Sequence, residues 1–212
     1  MFEHKSLLCI INDMNRHKKV FEIVEAIYKG KETRPMGSWM WNNHVQWVAS
    51  KTAELAQKYN AREEFAISGA LLHDLADTIY ERTHDNFDEW SEKKGYEVLK
   101  EAGFDDKESK EIMELVVGPH SCHPENLPSI LEGKVLATAD AMFHLQTSFF
   151  PVLCYANMPH KAESLDDWRE WFSKKVERDY SSKIFFDDEK KEVEADYFAL
   201  KRVFGNRSLG QI

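Results

Sequence analysis

The chain has 212 residues and a formal net charge of −9, and 42% of its residues are hydrophobic. This length fits one compact domain, and the apolar content excludes long disordered stretches. The acidic balance argues against a protein that binds a nucleic-acid polymer, because such proteins normally carry a basic patch. A small phosphate ester stays compatible with it, since a metal ion and a few local cations can dominate the field in a cleft.

The cysteines and the apolar runs indicate the compartment. Cys9, Cys122 and Cys154 show no paired spacing, and an odd number of cysteines without a C-x-x-C motif predicts reduced thiols in a cytoplasmic protein. The apolar run from Leu7 to Ile11 is too short for the core of a signal peptide. No stretch approaches the ~20 apolar residues that cross a bilayer, so we expect no membrane association.

Helical periodicity dominates the chain, and convincing strand alternation is scarce. We therefore predict an all-α fold, a single globular bundle of about seven or eight helices. From Trp41 to Tyr59, apolar residues recur at alternating steps of four and three, which indicates one face of a helix. The nearly continuous apolar run from Phe65 to Leu72 is typical of a central buried helix.

The rest of the chain carries the start and stop signals of further helices. These helices are predicted from Asp85 or Asn86 to Gly103, from Asp105 to Gly118-Pro119, around Asp140, and from about Asp188 to Phe204. The stretch from Pro151 to Lys161 lacks helical periodicity, so we predict a loop there. The helices beyond it are expected to complete the same core.

The most informative motif is the doublet His73-Asp74, at the end of the apolar run. Burying an imidazole and a carboxylate together is costly unless a metal ion, a proton or a tight partner compensates. His44 and Asp140 are two further donors at long range. The four residues form a mixed nitrogen and oxygen set that suits a divalent metal ion in a helical protein. Taken alone, however, His44 would be an ordinary hydrogen-bonded histidine and Asp140 a solvated carboxylate.

Four sequence elements, in this order, resemble the HD superfamily of metal-dependent phosphohydrolases. They are His73-Asp74, Ser91–Phe104, Val116–Ser121 and Glu132–Met142. The similarity extends from about Trp39 to about Phe150. It implies an HD metal-binding core at residues 39–150, with an N-terminal helical segment at residues 1–38 packed on it. The C-terminal helices at residues 151–212 would extend the bundle and complete the same domain.

The resemblance implies a metal centre and a reaction. Its metal ligands would be His44, His73, Asp74 and Asp140, and the divalent ion would be Mn, Fe, Ni, Co, Zn or Mg. Water on this metal would attack a small phosphoester such as a nucleotide or a related metabolite. The expected partner is thus a small phosphorylated substrate and neither a nucleic-acid polymer nor a membrane, while a homodimer stays open.

The resemblance and the spacing also indicate catalytic and substrate-binding residues. Asp77 follows His73 by one helical turn, so the two are expected to share a helix face. In one branch of the superfamily, the 5′-nucleotidases, an acidic residue at this place handles protons. His120 would face the pocket and ligate a second metal ion, bind phosphate or protonate a departing alkoxide. Lys51 and Lys134 are candidate point charges for the substrate phosphate.

One departure from the family pattern bears on the number of metal ions. Two-metal members have a histidine about four residues before the serine that matches Ser91, and this chain has Phe87 there. One ion is therefore favoured over two, and an HD-type di-iron oxygenase is only an alternative function. A non-catalytic sensor that binds a metal or ligand is another. The roles of His84 and His123 stay open, as does phosphate contact by the cationic cluster Lys174, Lys175, Arg178 and Lys183.

Overall fold

The computed structural model describes residues 15–30, 33–157 and 165–204, and all regular elements in these ranges are helical. The all-α prediction is confirmed for this part of the chain. The chain divides into two compact units, one up to Ala139 and one from Asp140 onward. The domain boundaries predicted at residues 38/39 and 150/151 stay predictions. Among the described residues, no helix has both the length and the apolar character needed to span a membrane.

Among its described residues, the first unit contains six complete helices and the first half of a seventh. They are α1 (Asn15–Tyr28), α2 (Pro35–Met40), α3 (Gln46–Tyr59), α4 (Glu63–Leu72), α5 (Phe87–Ala102), α6 (Asp106–Glu111) and α7 (Leu131–Gln146). A π-helical turn, Trp41–Val45, joins α2 to α3, and a second one, Ile112–Val117, continues α6. A 3-10 turn, Leu75–Thr78, follows α4.

Helix α4 is the central element of this unit because its sequence is apolar on all sides. Each residue from Phe65 to Leu72 is buried, as the apolar run predicts. Glu63 and Glu64 occupy the first turn, where carboxylates interact favourably with the helix dipole. The residues that directly follow Leu72, at the end of α4, therefore lie in the interior of the unit.

The helix ends follow the predicted signals in α5 and α6. Helix α5 begins directly after Asn86 and ends at Gly103, whose φ of 99° is the left-handed conformation that favours glycine. Asp105 starts α6 with a reciprocal capping box, in which its side chain and that of Glu108 each accept a backbone N–H. Helix α5 packs on α1 and α6, and the π turn Ile112–Val117 that continues α6 packs on α4.

Helix α1 is held by charges on two other helices. Arg16 donates to Glu64 at 2.5 and 3.0 Å and to Glu108 at 2.6 and 3.0 Å. Its guanidinium also lies 4.2 Å from the centroid of the Phe104 ring. Because planar Arg–carboxylate pairs fix orientation as well as distance, these contacts set the register of α1 against α4 and α6.

In the part of the second unit that the structure describes, the rest of α7, from Asp140, is followed by four more helices. They are α8 (Phe149–Asn157), α9 (Leu165–Ser181), α10 (Asp187–Glu192) and α11 (Glu194–Phe204). Its core is aromatic: the buried rings of Phe150 and Phe172 lie 5.6 Å apart in an edge-to-face arrangement.

The predicted loop at residues 151–161 was wrong for its first part, because α8 runs through residues 151–157. Residues 158–161 lie outside the described residues. Pro151 is the third residue of α8, where the backbone N–H has no partner within the helix, so a proline is tolerated there. The last predicted helix is divided at Val193 into α10 and α11.

The close approach of α4 to the second π turn generates a stability prediction. A Cβ at Gly69 would lie 2.5 Å from Val116 Cγ1 and 3.2 Å from its Cβ, and a β-branched side chain cannot rotate away cheaply. A Cβ at Gly95 would instead meet the flexible end of Met113, at 2.4 Å from Cε. We expect Gly69→Ala to lower the free energy of unfolding by about 1–3 kcal/mol.

Gly95→Ala is the matched control, and its free energy of unfolding should stay within about 1 kcal/mol of wild type. Its better helix propensity offsets the shift of Met113. Urea unfolding followed by circular dichroism measures both variants. Equal effects of the two substitutions would contradict the packing argument.

Candidate metal centre

His44, His73 and Asp74 come together in the interior of the first unit. His44 Nε2 lies 2.9 Å from His73 Nε2 and 3.1 Å from Asp74 Oδ2. His73 Nε2 lies 3.4 Å from the same oxygen. None of the three side chains is more than 7% exposed. Three donor atoms thus face one another where water hardly enters.

The end of α4 sets the orientation of His73. Its Nδ1 lies 2.7 Å from the carbonyl oxygen of Ala70, which can only accept a hydrogen bond. The proton of a neutral His73 therefore sits on Nδ1, and the lone pair of Nε2 faces the cluster. This is the tautomer that binds a metal ion through Nε2.

Asp74 faces the same point as His73 because the chain leaves the helix here. Adjacent residues on an α-helix point about 100° apart. Helix α4, however, ends at Leu72, and Asp74 has φ −119° and ψ 23°. This turn brings the carboxylate round to the side of the two imidazoles.

Tyr28 of α1 connects the turn of Asp74 to the turn of His44. Its hydroxyl donates to the carbonyl oxygen of Asp74 at 2.9 Å, and its ring stacks on Trp41 with centroids 5.3 Å apart. Trp41 begins the π-helical turn that carries His44; such turns often occur at functional sites. Sequence reasoning missed Tyr28, since no motif marks it.

Asp140 supplies a further donor. One ligand atom each from His44, His73 and Asp140 lies within 4.8 Å of the others, and all three residues are buried. Bonds to a transition-metal ion are ~2.0–2.2 Å long, so this spacing is close to that of donors around one ion. These residues could hold a metal ion.

The charge state of Asp74 suits a ligand. Burial raises the pKa of Asp74, but the Arg82 guanidinium and the two imidazoles outweigh burial and hold that pKa well below its usual range. The carboxylate is thus ionised, as metal binding requires. Two neutral imidazoles with carboxylates form a donor set for a first-row divalent metal ion such as Mn, Fe, Co, Ni or Zn.

Arg82 is a site residue that sequence reasoning missed. It donates to Asp74 Oδ1 at 2.6 Å and to both oxygens of Asp77, the shortest of these contacts also being 2.6 Å. Its side chain is 58% exposed, whereas those of Asp74 and Asp77 are 7% and 13% exposed. Arg82 therefore connects the buried cluster to solvent. Helical periodicity offers no signal for it, because it follows an irregular turn.

Asp77 lies beside the cluster, but the alignment predicted for it was wrong. Helix α4 ends before His73, and Asp77 sits in the 3-10 turn, so the two do not share a helix face. Arg82 connects Asp77 to Asp74. Burial raises the pKa of Asp77, the Arg82 charge opposes this, Asp74 raises it further, and the net direction is upward.

His120 lies next to His73, with ring centroids 5.3 Å apart in an edge-to-face arrangement. Its Nδ1 donates to the carbonyl oxygen of Val117 at 2.6 Å. The proton of a neutral His120 therefore sits on Nδ1, and Nε2 carries the lone pair. The second π turn, which ends at Val117, places this histidine.

The other predicted residues are placed as follows. Lys51, on α3, is 20% exposed and pairs with Glu54 at 3.4 Å. Lys134 is half-buried on α7, and six residues of helix put it roughly 120° around the axis from Asp140. Exposed His84 stacks on Tyr80 at 4.3 Å and accepts the Asn86 N–H through Nδ1, while His123 is also exposed. Phe87, at the start of α5, is half-buried.

Comparison with known proteins places this site in a family. The family model of the HD domain matches residues 42–143, a range that contains His44, the His73-Asp74 doublet and Asp140. Comparisons with curated proteins and with solved structures each returned no match. As the four sequence elements predicted, residues 42–143 match the HD domain, and the resemblance to the HD superfamily is confirmed for this part of the chain.

Proposed function

We propose that this chain is a metal-dependent phosphohydrolase that hydrolyses a small phosphoester, such as a nucleotide or a related metabolite. One observation carries the proposal: buried nitrogen and oxygen donors converge beside an exposed guanidinium and a second carboxylate. The donors can hold a divalent cation. The guanidinium and the carboxylate supply what phosphate hydrolysis needs besides a metal, namely an anion contact and a group that transfers protons.

His44, His73, Asp74 and Asp140 would hold the ion in this proposal. A divalent cation bound there polarises the phosphoryl group and lowers the pKa of water. The protein fixes the donors beforehand, through the Ala70 carbonyl on His73 and the π turn under His44. Because the donors need little rearrangement when the ion binds, little of the binding free energy is lost in ordering them.

Arg82 is proposed to bind the substrate phosphate. Asp74 and Asp77 carry two negative charges when ionised, and Arg82 compensates one of them. A divalent cation reverses the sign of this group and leaves an excess positive charge, which favours an anionic guest. The guanidinium matches a phosphate geometrically, since it can donate two parallel hydrogen bonds.

Asp77 and His120 are proposed to move protons. The raised pKa of Asp77, which burial causes first of all, brings this carboxyl closer to the pH at which a general acid or base works best. His120 carries its proton on Nδ1 and can accept another on Nε2. Lys51 and Lys134 stay candidates for contacts with more distant substrate groups.

Metal removal and Asp74→Ala test the reaction. Protein treated with a chelator should release no phosphate from a panel of phosphoesters, and Mn²⁺, Co²⁺, Ni²⁺ or Mg²⁺ should restore release. Asp74→Ala should lower the rate at least about 100-fold, because even partners of ligands cost 10–100-fold. Exposed Asp85→Ala is the matched control and should keep wild-type activity.

Three results of this experiment would contradict the proposal. Activity of Asp74→Ala close to wild type would exclude the metal mechanism. Bound metal without turnover on any ester would favour a sensor. About two irons per chain together with oxygen consumption would favour an oxygenase.

Arg82→Ala should separate phosphate binding from metal binding. Loss of a hydrogen bond to a charged group costs about 1.5–3 kcal/mol, so kcat/KM should fall roughly 10–100-fold. Affinity for Mn²⁺ should not fall, because removing a cation beside Asp74 makes that carboxylate a stronger ligand. Steady-state kinetics and Mn²⁺ titration measure the two effects.

Arg34→Ala controls for disorder of the segment around Arg82. Arg34 donates to the carbonyl of Tyr80 at 2.6 Å and to Glu81 at 3.1 Å, and so anchors the same segment from outside. If Arg34→Ala reproduces the kinetics of Arg82→Ala, the effect comes from the loop and the phosphate contact is wrong.

Asp77→Asn should leave the metal ion bound while kcat falls. General acid–base catalysis contributes about 10²–10⁴-fold, and an amide of similar size cannot transfer the proton. Metal content by elemental analysis should match wild type, in contrast to Asp74→Ala. An unchanged kcat would exclude Asp77 from proton transfer and leave His120 as the candidate.

A further inference from the structure

The end of α9 places a buried lysine against Asp140. Helix α9 ends at Ser181, and the N–H groups of Ser182 and Lys183 then donate to the Arg178 carbonyl oxygen at 2.9 and 3.2 Å. From this turn, Lys183 Nζ donates to Asp140 Oδ2 on α7. The side chains of Lys183 and Asp140 are only 3% and 4% exposed. A lysine is almost never buried to this extent unless a carboxylate pairs with it.

A second buried carboxylate in this unit, Asp179, has different partners. Lys175 Nζ donates to Asp179 Oδ2 at 3.2 Å, and His144 Nδ1 lies 3.0 Å from the same oxygen. Burial raises the pKa of Asp179, but the contacts with Lys175 and His144 outweigh burial and hold that pKa well below its usual range. Asp179 is therefore ionised and can only accept, so His144 donates to it through Nδ1.

This arrangement decides which neighbour compensates the charge of Asp140. The proton of a neutral His144 sits on Nδ1, so its Nε2, which lies 3.3 Å from Asp140 Oδ1, carries a lone pair. A lone pair cannot donate to a carboxylate oxygen. Lys183 does donate to Asp140, and it brings a positive charge as well.

We propose that Lys183 is a positioning residue that compensates Asp140 in the metal-free protein and thereby lowers the affinity of the metal centre. This inference rests on the proposed function, in which Asp140 is a metal ligand. A buried carboxylate without a counter-charge is costly, so Lys183 stabilises the fold while no ion is bound. The same ammonium repels a divalent cation that binds to Asp140.

Lys183 and the ion can contact Asp140 at the same time. Each carboxylate oxygen has two lone pairs, so the ammonium need not leave Oδ2 when the other oxygen binds a cation. The effect of Lys183 on the ion is therefore mainly one of charge. It should disappear when the charge is removed and persist when the lysine is replaced by another cation.

Two other interpretations of the Lys183–Asp140 pair make different predictions. In the first, the pair only ties the end of α9 to α7, and its loss would lower stability by the same amount with and without metal. In the second, Lys183 contacts the substrate, and its loss would raise KM without changing metal affinity. Neither interpretation predicts tighter metal binding when Lys183 is replaced.

The first test compares the Mn²⁺ affinity of Lys183→Met and Lys183→Arg in the full chain, by competition with a chelator. Lys183→Met should bind Mn²⁺ at least about 10-fold more tightly than wild type, because a positive charge close to the ion is lost. Lys183→Arg keeps the charge and should stay within about threefold of wild type.

Thermal unfolding gives a second measurement that does not depend on activity. Without metal, Lys183→Met should unfold at least about 6 °C below wild type, because Asp140 is left buried without its counter-charge. Saturating Mn²⁺ should narrow this difference, since a ligand stabilises more the folded protein that binds it more tightly. An equal difference with and without Mn²⁺ would indicate a purely structural pair.

Lys201→Met is the matched control. Lys201 on α11 donates to Glu177 on α9 at 2.8 Å, so its loss also removes an ammonium–carboxylate contact between two helices of the second unit. It touches neither Asp140 nor Lys183 in these contacts, and its Mn²⁺ affinity should equal that of wild type.

The outcomes separate the two proposals. If Asp140→Ala leaves Mn²⁺ affinity unchanged, the proposed metal centre is wrong and this inference fails with it. If Asp140→Ala weakens binding but Lys183→Met binds Mn²⁺ no more tightly than wild type, only this inference is overturned. If Lys183→Met does not fold, Lys183→Gln decides, because its amide keeps an N–H donor without the charge. Affinity about threefold or more above wild type then supports the inference, and unchanged or weaker affinity overturns it.

Discussion

The first unit depends on one constraint, namely that two imidazoles and a carboxylate face one another where water hardly enters. His44 Nε2 and His73 Nε2 are 2.9 Å apart, and two lone pairs at that distance repel each other unless a proton or a metal ion lies between them. The surrounding structure holds the groups in place despite this cost. Ala70 fixes His73 from behind, and Tyr28 joins the two turns that carry His44 and Asp74. Supporting contacts of this kind are expected where a bound cation compensates the repulsion between the donors.

Arg82 compensates the charge of the buried carboxylates without closing the cluster to solvent. A buried carboxylate needs a partner. A fully buried lysine in that role would close the site to solvent. Arg82 instead reaches in from a largely exposed position and contacts both Asp74 and Asp77. Under the proposed function, the same side chain neutralises the carboxylates and contacts the substrate phosphate. The Arg82 charge helps to keep Asp74 ionised, whereas burial and the charge of Asp74 raise the pKa of Asp77 against the opposing effect of Arg82.

Sequence patterns predicted the helices, and the family resemblance singled out His44, the His73-Asp74 doublet and Asp140, but neither indicated how the chain connects these residues. Apolar periodicity and end signals are local, so α4, the start of α5 and the stop at Gly103 could be predicted. The π turn under His44 and the irregular path after Leu72 depend on tertiary packing. For this reason Arg82 and Tyr28 were missed, and Asp77 was given the wrong relation to His73. The loop predicted at Pro151 failed because the first turn of a helix accepts proline.

Within each unit, a carboxylate of the proposed metal centre has its own protein cation. Asp74 is paired with Arg82 in the first unit, and Asp140 with Lys183 in the second. Under the proposed function this pairing has a consequence for selectivity. Ligand charges that are already compensated cannot neutralise a divalent ion, so the ion brings a positive charge that has to be balanced from outside. A phosphorylated guest supplies that balance, whereas a neutral molecule of the same shape does not. Built-in counterions of this kind thus couple the occupancy of the metal centre to the charge of the substrate.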